Sequence, residues 1–430
     1  MMIDLEEEQN RKVRAFLVGE PGNDLNELKG LVDTLGLETA GTLTLSRIEI
    51  KPAYGMGSGK AHEICNLTTE SESDCIIFDF NLEPTKQRNW EKLSKIPCFD
   101  RQEVIIRIFA QRARTKEAVL QVELARLTYS LPRLAHSYGD MARQRGGSYG
   151  SKGAGETQLE LDQRRIRTKI MQTKKELEEV MRTRETQRKK RTGLPVPECA
   201  LIGYTNAGKS SLLNALTGAE TFVEDKLFAT LDPLTRKLNL KDGQGILMTD
   251  TVGFISNLPH SLIEAFKSTL DEARMADLQL IVIDASDPNA EQQYNTVLKV
   301  LEEINKASSA EDNSCSNRLI ILNKWDDVLG NALDTAALDV LFPEAIKVSA
   351  KTRFGFEELS DRISEKLLGA EREYEIPAEE AELLRRIRSG GVILKEEWKD
   401  ASVIIKARIA GKTAAMAEPF LTSRRNSNEL

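Results

Sequence analysis

Apolar positions in the first hundred residues switch between two periods. Val13–Gly19 (VRAFLVG) and Asp74–Phe80 (DCIIFDF) are short continuous apolar runs, the pattern of strands buried on both faces. Between and after them the spacing turns helical. Leu25, Leu28, Leu31, Val32 and Leu35 fall on one face of Asn23–Leu35, and Pro84–Lys95 opens on a proline suited to a first helical turn. Strands alternating with helices predict a parallel α/β sheet.

The texture changes near Asp100. Residues 103–131 predict a strong helix, with Leu120, Leu124, Leu127 and Leu131 spaced four, three and four apart, and Pro132 is expected to disrupt it. Arg143–Glu160 (RQRGGSYGSKGAGETQLE) carries five glycines in its first thirteen residues. A second long helix is expected from Thr157 to about Lys190, with Ile166, Ile170, Leu177 and Val180/Met181 along one side. Two apolar stripes joined by a glycine-rich loop predict an antiparallel helical hairpin. Residues 195–368 return to α/β texture, with strands at Glu198–Gly203, Ile246–Asp250, Leu278–Asp284, Arg318–Asn323 and Ala345–Ser349. In the last sixty residues Val392–Lys399 and Ala401–Ile409 could pair as a hairpin.

The expected architecture is therefore α/β and multidomain. It comprises an N-terminal α/β domain (1–100), a helical hairpin with a glycine-rich tip (101–192), a phosphate-loop domain with a mainly parallel sheet (193–370) and a small α+β C-terminal domain (371–430). A length of 430 residues accommodates that many domains at about 100–200 residues each.

Composition narrows the class. No apolar run approaches the roughly 18 residues that cross a bilayer, and the acidic start, Met1–Lys12, has no secretory apolar segment. No membrane span is expected, while peripheral membrane association stays open. Cys65, Cys75, Cys98, Cys199 and Cys315 form no CxxC pair, and His62, His136 and His260 form no HExxH. A monomer in a reducing cytoplasm is the expectation. Net charge is -7, yet residues 142–191 hold fifteen Lys/Arg against seven Asp/Glu, leaving the rest of the chain at -15. A basic segment on an acidic chain fits a polyanion contact; a solvated helix laced with i,i+4 ion pairs fits equally well.

Candidate chemistry is concentrated between Gly203 and Lys351. Gly203–Ser210 (GYTNAGKS) matches GxxxxGK[ST] between an apolar strand and a helical run, the context that the phosphate loop requires. Gly203, Tyr204, Thr205, Asn206, Ala207, Gly208, Lys209, Ser210 and Ser211 would surround the phosphates at a helix N-terminus. Lys209 would supply charge to the β- and γ-phosphates, and the Ser210 hydroxyl would ligate Mg²⁺. Asp250–Gly253 (DTVG: Asp250, Thr251, Val252, Gly253) ends a strand 41 residues after Lys209. Asp250 would hold Mg²⁺ through water, and the Gly253 N–H would sense the γ-phosphate. Between the two motifs lies Phe228–Pro233 (FATLDP), where Phe228 and Ala229 precede Thr230, a second hydroxyl ligand for Mg²⁺ in a switch loop. Lys209, Thr230 and Gly253 are the catalytic candidates.

Asn323–Asp326 (NKWD) selects the base. The Asp326 carboxylate can accept from the guanine ring N–H and exocyclic amine, a donor pair that adenine lacks. The Lys324 stem can lie over the base, Asn323 can tie this loop to the phosphate loop, and Ser349–Ala350–Lys351 (SAK) can present an N–H to the guanine carbonyl. GTP and GDP are thus the expected ligands. After DTVG, where many such enzymes place a water-orienting Gln, stands Phe254. A partner, the backbone or a monovalent cation must then align the water. Asn206 keeps K⁺ open, since some GTPases with Asn there use it; hydrogen bonding within the loop is the plainer role. Slow turnover by the isolated protein, accelerated by a partner, is expected.

GYTNAGKS, FATLDP, DTVGF and NKWD together resemble the Obg/HflX class of translation-factor-related GTPases. YGMGSGK (Tyr54–Lys60), IFAQRARTKEAVLQVELARL (Ile108–Leu127) and GSKGAGETQLELDQRR (Gly150–Arg165) resemble the HflX family in particular, over nearly the whole chain. The resemblance implies binding to the large ribosomal subunit and its rRNA, with separation of ribosomal subunits under stress. It also implies that the hairpin carries the rRNA contact, through Arg143, Arg145, Lys152 and the Arg164/Arg165/Arg167 cluster. The family usually has Pro where this chain has Ala154. YGMGSGK lacks phosphate-loop spacing, with Tyr54 at the first Gly and Ala61 at the Ser/Thr, so a structural turn is favoured over a second nucleotide site. An assembly factor or RNA chaperone acting on the large subunit without splitting ribosomes is the alternative function.

Overall fold

The computed structural model describes residues 11–47, 53–144, 152–191, 196–218, 226–240, 245–256, 262, 273–306, 317–328, 332–399, 401–409 and 411–422. They fall into two compact units. Met1–Arg184, Asp225–Asp232 and Asn257–Lys267 form the first; Glu185–Glu224, Pro233–Ser256 and Ser268–Leu430 form the second.

The first unit is built on a four-stranded sheet of β1 (Arg14–Gly19), β2 (Glu38–Thr44), β3 (Cys75–Phe78) and β4 (Cys98–Asp100), in the order β2-β1-β3-β4 with every neighbour parallel. The expected apolar runs are β1 and β3. Helix α1 (Asn26–Thr34) buries Leu28, Leu31 and Val32, the face expected from their spacing. The YGMGSGK stretch is a turn leading into α2 (Ser58–Glu70). It is held by α3 (Pro84–Ser94): Trp90 Nε1 donates to the Tyr54 carbonyl at 3.0 Å, and the two rings meet edge-on at 5.5 Å.

The helical region departs from expectation in two places. Residues 103–131 are not one helix. Helix α4 (Arg101–Arg112) stops, and α5 (Lys116–Gln144) begins after Thr115, whose Oγ1 accepts from Ala118 N at 3.2 Å as its cap. Nor does Pro132 end α5, which runs through it. The neighbouring turn is braced from outside the helix backbone. The Arg133 guanidinium donates to the carbonyls of Tyr129 (3.0 Å) and Leu82 (2.9 Å) and pairs with buried Asp100 at 3.0 Å. The hairpin itself is present: Leu120 and Leu124 of α5 pack with Leu177 of α6 (Lys152–Arg191), flanked by Ile170, Val180 and Met181. Arg164, Arg165 and Arg167 are exposed on α6. Arg145 and the rest of the glycine-rich tip, 145–151, lie outside the described residues, as do the side chains of Arg143, Lys152 and Ala154.

The second unit carries a six-stranded sheet of β5 (Glu198–Gly203), β6 (Leu234–Asn239), β7 (Gly245–Asp250), β8 (Leu278–Asp284), β9 (Arg318–Asn323) and β10 (Ile346–Lys347), in the order β10-β9-β8-β5-β7-β6. All neighbours are parallel except β6, which runs antiparallel to β7. β8 is buried along its whole length, as its unbroken LQLIVID requires. The same unit includes an antiparallel sheet in the order β11-β13-β12: β11 (Glu371–Pro377), β12 (Val392–Lys399) and β13 (Ser402–Arg408). The expected terminal hairpin is the pair β12 and β13. No helix among the described residues is long and apolar enough to cross a membrane.

Candidate functional site

Five parallel strands of the second unit end on one edge of the sheet, and each end carries one of the motifs or a charged partner of one. An open α/β sheet binds its ligands at such carboxyl ends. GYTNAGKS follows β5 and turns into α7 (Lys209–Thr217). Two of its residues have left-handed backbone, Asn206 (φ 61°) and Gly208 (φ 84°), which curls the loop around its own N–H groups. At Gly208 a side chain is excluded twice. The positive φ disfavours one, and a Cβ there would stand 2.3 Å from Asn323 Nδ2.

Lys209 is buried in this loop. Its Nζ donates to the carbonyls of Gly203 (3.2 Å) and Tyr204 (2.8 Å). Burial lowers its pKa to about 8 by disfavouring the ammonium, partly opposed by the Asp250 charge. Ser210 Oγ donates to Asp250 Oδ2 at 2.5 Å, and Asp250 is fully buried at the end of β7. A hydroxyl and a carboxylate in contact form the hard-oxygen donor pair that suits Mg²⁺, so these residues fit the expected ion.

The DTVGF run lies along the phosphate loop. Phe254 N donates to the Gly203 carbonyl (3.1 Å), and Thr205 N donates to the Phe254 carbonyl (2.7 Å). Phe254 is 1% exposed, so its ring is a packing element rather than a solvent-facing group. Tyr204 Oη donates to Ser256 Oγ at 2.9 Å and accepts from Ser256 N at 2.6 Å, a second tie between the two stretches. Gly253 fits because nothing larger could. A Cβ there would lie 2.8 Å from both Cα and Cγ2 of Thr205 and 3.1 Å from Lys209 Nζ. Thr251 turns away from the phosphate loop: its Oγ1 donates to the Leu201 carbonyl at 2.7 Å, binding β7 to β5.

NKWD and SAK converge on the same edge. Asn323 Nδ2 donates to the Ala207 carbonyl at 2.9 Å, and its Oδ1 accepts from Ala350 N at 3.2 Å, so one side chain joins phosphate loop, NKWD and SAK. Lys324 has left-handed backbone (φ 59°), and its Nζ pairs with Asp284 Oδ2 at 2.6 Å. Asp326 is mostly buried on the short helix α8 (Trp325–Val328), with Lys351 Nζ 3.7 Å away. Ser349 shapes its own turn, Oγ accepting from Thr352 N at 3.0 Å.

Phe228, Ala229 and Thr230 belong to the first unit, Ser210 and Asp250 to the second. The Phe228 ring is buried edge-on against Phe109 at 4.6 Å. Asp232 accepts from the N–H groups of Arg114 and Thr115, both at 3.3 Å, and from the Thr115 hydroxyl.

Two participants escape sequence reasoning. Asp284 ends β8 and holds Lys324; its signal was an Asp closing a mostly apolar strand, the pattern of Asp250. Asp232 sits inside FATLDP, and no spacing betrays its partner more than a hundred residues earlier. None of the four described cysteines lies in these motifs. Burial pushes the Cys75 thiol up to about 12 and moves Cys98 and Cys199 in the same direction.

Three family models match the chain. They are described as GTP-binding GTPase N-terminal (residues 22–110), GTP-binding GTPase Middle Region (112–191) and 50S ribosome-binding GTPase (198–324). Among curated proteins, "GTPase HflX" of Akkermansia muciniphila is 40% identical over 98% of this chain and 100% of the relative. "GTPase HflX" of Treponema denticola is 46% identical over 79% of this chain and 86% of the relative. A crystal structure of SsGBP in complex with GDP is 25% identical, covering 82% of this chain and 97% of that one with a TM-score of 0.47.

Proposed function

The chain belongs to the HflX family of GTPases, and on that premise we propose that it binds the large ribosomal subunit and couples GTP hydrolysis to dissociating ribosomal subunits or rescuing stalled ribosomes. The nucleotide-site reading rests on one observation, the Asn323 side chain that joins the phosphate loop to NKWD and SAK. Asp326 then meets the guanine donors while Lys209 meets the phosphates. Ser210 and Asp250 are the residues of the second unit that would hold Mg²⁺, which would neutralise phosphate charge when bound. In the reaction a water oxygen bonds to the γ-phosphorus as the bond to the β,γ-bridging oxygen breaks. The electron pair leaves on GDP, and the proton goes to phosphate.

The ribosomal partner is supported by the likeness to a family described as 50S ribosome-binding and by the +8 charge of residues 142–191 on an otherwise acidic chain. Exposed Arg164, Arg165 and Arg167 offer phosphate contacts along α6. The reading places the protein in the cytoplasm, where its partner resides.

Sedimentation of intact ribosomes tests it. Ribosomes incubated with the protein and a non-hydrolysable GTP analogue should shift to free subunits, whereas GDP should leave them whole. Ribosomes that stay intact in both nucleotide states would reject splitting and leave the large-subunit assembly role.

A further inference from the structure

Phe254 leaves the site without the side chain that commonly orients the attacking water, and the phosphate loop holds a hydroxyl placed to take over. Thr205 is 6% exposed, and among the described residues its Oγ1 has no hydrogen-bond partner. Its backbone is fixed, because Thr205 N donates to the Phe254 carbonyl at 2.7 Å. Its neighbours define the γ-phosphate end of the loop. A Cβ built on Gly253 would touch Thr205 Cα and Cγ2 at 2.8 Å and Lys209 Nζ at 3.1 Å. Thr205, Gly253 and Lys209 therefore converge on one point, where Lys209 supplies charge to the last phosphate and Gly253 its N–H.

A buried hydroxyl without a partner forfeits its hydrogen bonds to water and gains nothing in return. Valine would fill the same space and keep the methyl against Gly253 without that cost. The other buried threonine hydroxyl of this site, on Thr251, is satisfied by the Leu201 carbonyl. Thr205 is thus the exception, and its position names the missing partner.

We propose that the Thr205 hydroxyl is a catalytic group for GTP hydrolysis, accepting a hydrogen bond from the attacking water while donating to a γ-phosphoryl oxygen. A hydroxyl can do both at once, having one donor and two acceptor lone pairs. It holds the water beside phosphorus and leaves it when phosphate departs, so GDP, which lacks the γ-phosphoryl group, gains nothing from it. The inference rests on the GTPase reading and adds the group that aligns the nucleophile.

The full-length protein tests it with Thr205→Val, Thr205→Ala and Thr205→Ser. Single-turnover hydrolysis of radiolabelled GTP is measured beside the affinities for GDP and for a non-hydrolysable GTP analogue. Thr205→Val should hydrolyse GTP at least tenfold more slowly, with GDP affinity within about twofold of the parent. Thr205→Ala should behave alike, and Thr205→Ser should restore most of the lost rate because it regains only the hydroxyl. Should Thr205→Val turn over at the parent rate, or lose GDP affinity as much as rate, the proposal is overturned. Should Thr205→Val fail to fold, the Ala/Ser comparison decides: equal rates in those two also overturn it. If the parent protein itself does not hydrolyse GTP, the GTPase reading fails first, an outcome separable from any ordering of the variants.

Discussion

Asn323 reaches across from the end of β9 and donates its Nδ2 to the Ala207 carbonyl at 2.9 Å, inside the phosphate loop. With Ala350 N bonded to its Oδ1 at 3.2 Å, this 1%-exposed amide makes the phosphate and base subsites one object. Asn323→Ala leaves a buried carbonyl and a largely buried N–H unpaired, at about 1–3 kcal/mol for each group so stranded. GDP affinity should fall by at least about tenfold, and thermal unfolding should shift downward. A fluorescent GDP analogue and a thermal melt measure the two; unchanged affinity would show the loops to be independent.

If Asp326 reads the base, as proposed, its replacement should change the preferred base rather than merely weaken binding. Asp326→Asn presents an amide N–H where guanine offers its own donors. GDP affinity should drop by about two orders of magnitude or more, the scale of losing a charge-assisted donor pair. Xanthosine diphosphate, with a carbonyl in place of the exocyclic amine, should gain. Competition between the two nucleotides on the variant reads this directly, and a variant still preferring GDP would remove Asp326 from the assignment.

The lowered pKa of Lys209, about 8, gives nucleotide binding a pH dependence of definite sign. Bound phosphates favour the ammonium and raise its pKa. Below about 8 the free protein already carries the proton, so GDP affinity should be nearly flat from pH 6 to 7. Above 8 the proton must be taken up on binding, and affinity should weaken toward tenfold per pH unit. Calorimetry at pH 8.5 in buffers of different ionisation enthalpy should register that uptake. No buffer dependence would place the Lys209 pKa outside this window.

Asp232 braces the residues that lead into α5 through a contact that sequence spacing does not show. It accepts from the N–H groups of Arg114 and Thr115. Asp232→Ala should destabilise the first unit by about 1 kcal/mol, the scale of a lost hydrogen bond. Phe228→Ala, which empties the edge-on site against Phe109, should cost more, about 3 kcal/mol. Chemical denaturation of the full-length chain, followed by two probes because it has two units, should rank the variants in that order.

The candidate site was legible because its motifs are short contiguous stretches at strand ends. GYTNAGKS, DTVG, NKWD and SAK each pair a local sequence with a local shape, and all lie on one sheet edge. What escaped detection depends on distant partners. β2 is half-exposed, so Glu38–Thr44 shows no apolar run, and only its pairing with β1 makes it a strand. Pro132 reads as a helix breaker until Arg133 is seen anchored on Asp100 and Leu82. The side chain of Asp284 gains meaning only when Lys324 folds over it.

Arg164, Arg165 and Arg167 stand exposed on α6, within the segment that carries the chain's excess positive charge. If they meet rRNA phosphates, each contact releases condensed counterions, and affinity falls with salt by roughly 0.7–0.9 logarithmic units per contact. Replacing all three by Gln removes the charges while leaving a helix-compatible stem. Affinity for isolated large subunits should drop at low salt, and the slope of its logarithm against that of salt concentration should become shallower by about 2–3. GDP affinity should not move, since none of the three approaches the phosphate loop in sequence or belongs to its motifs. A solvated helix stabilised by its own ion pairs predicts the opposite: the same salt slope as the parent, with some loss of helicity. Filter binding across a salt series separates the two, because a change in slope reports contacts made in the complex and is blind to helix stability.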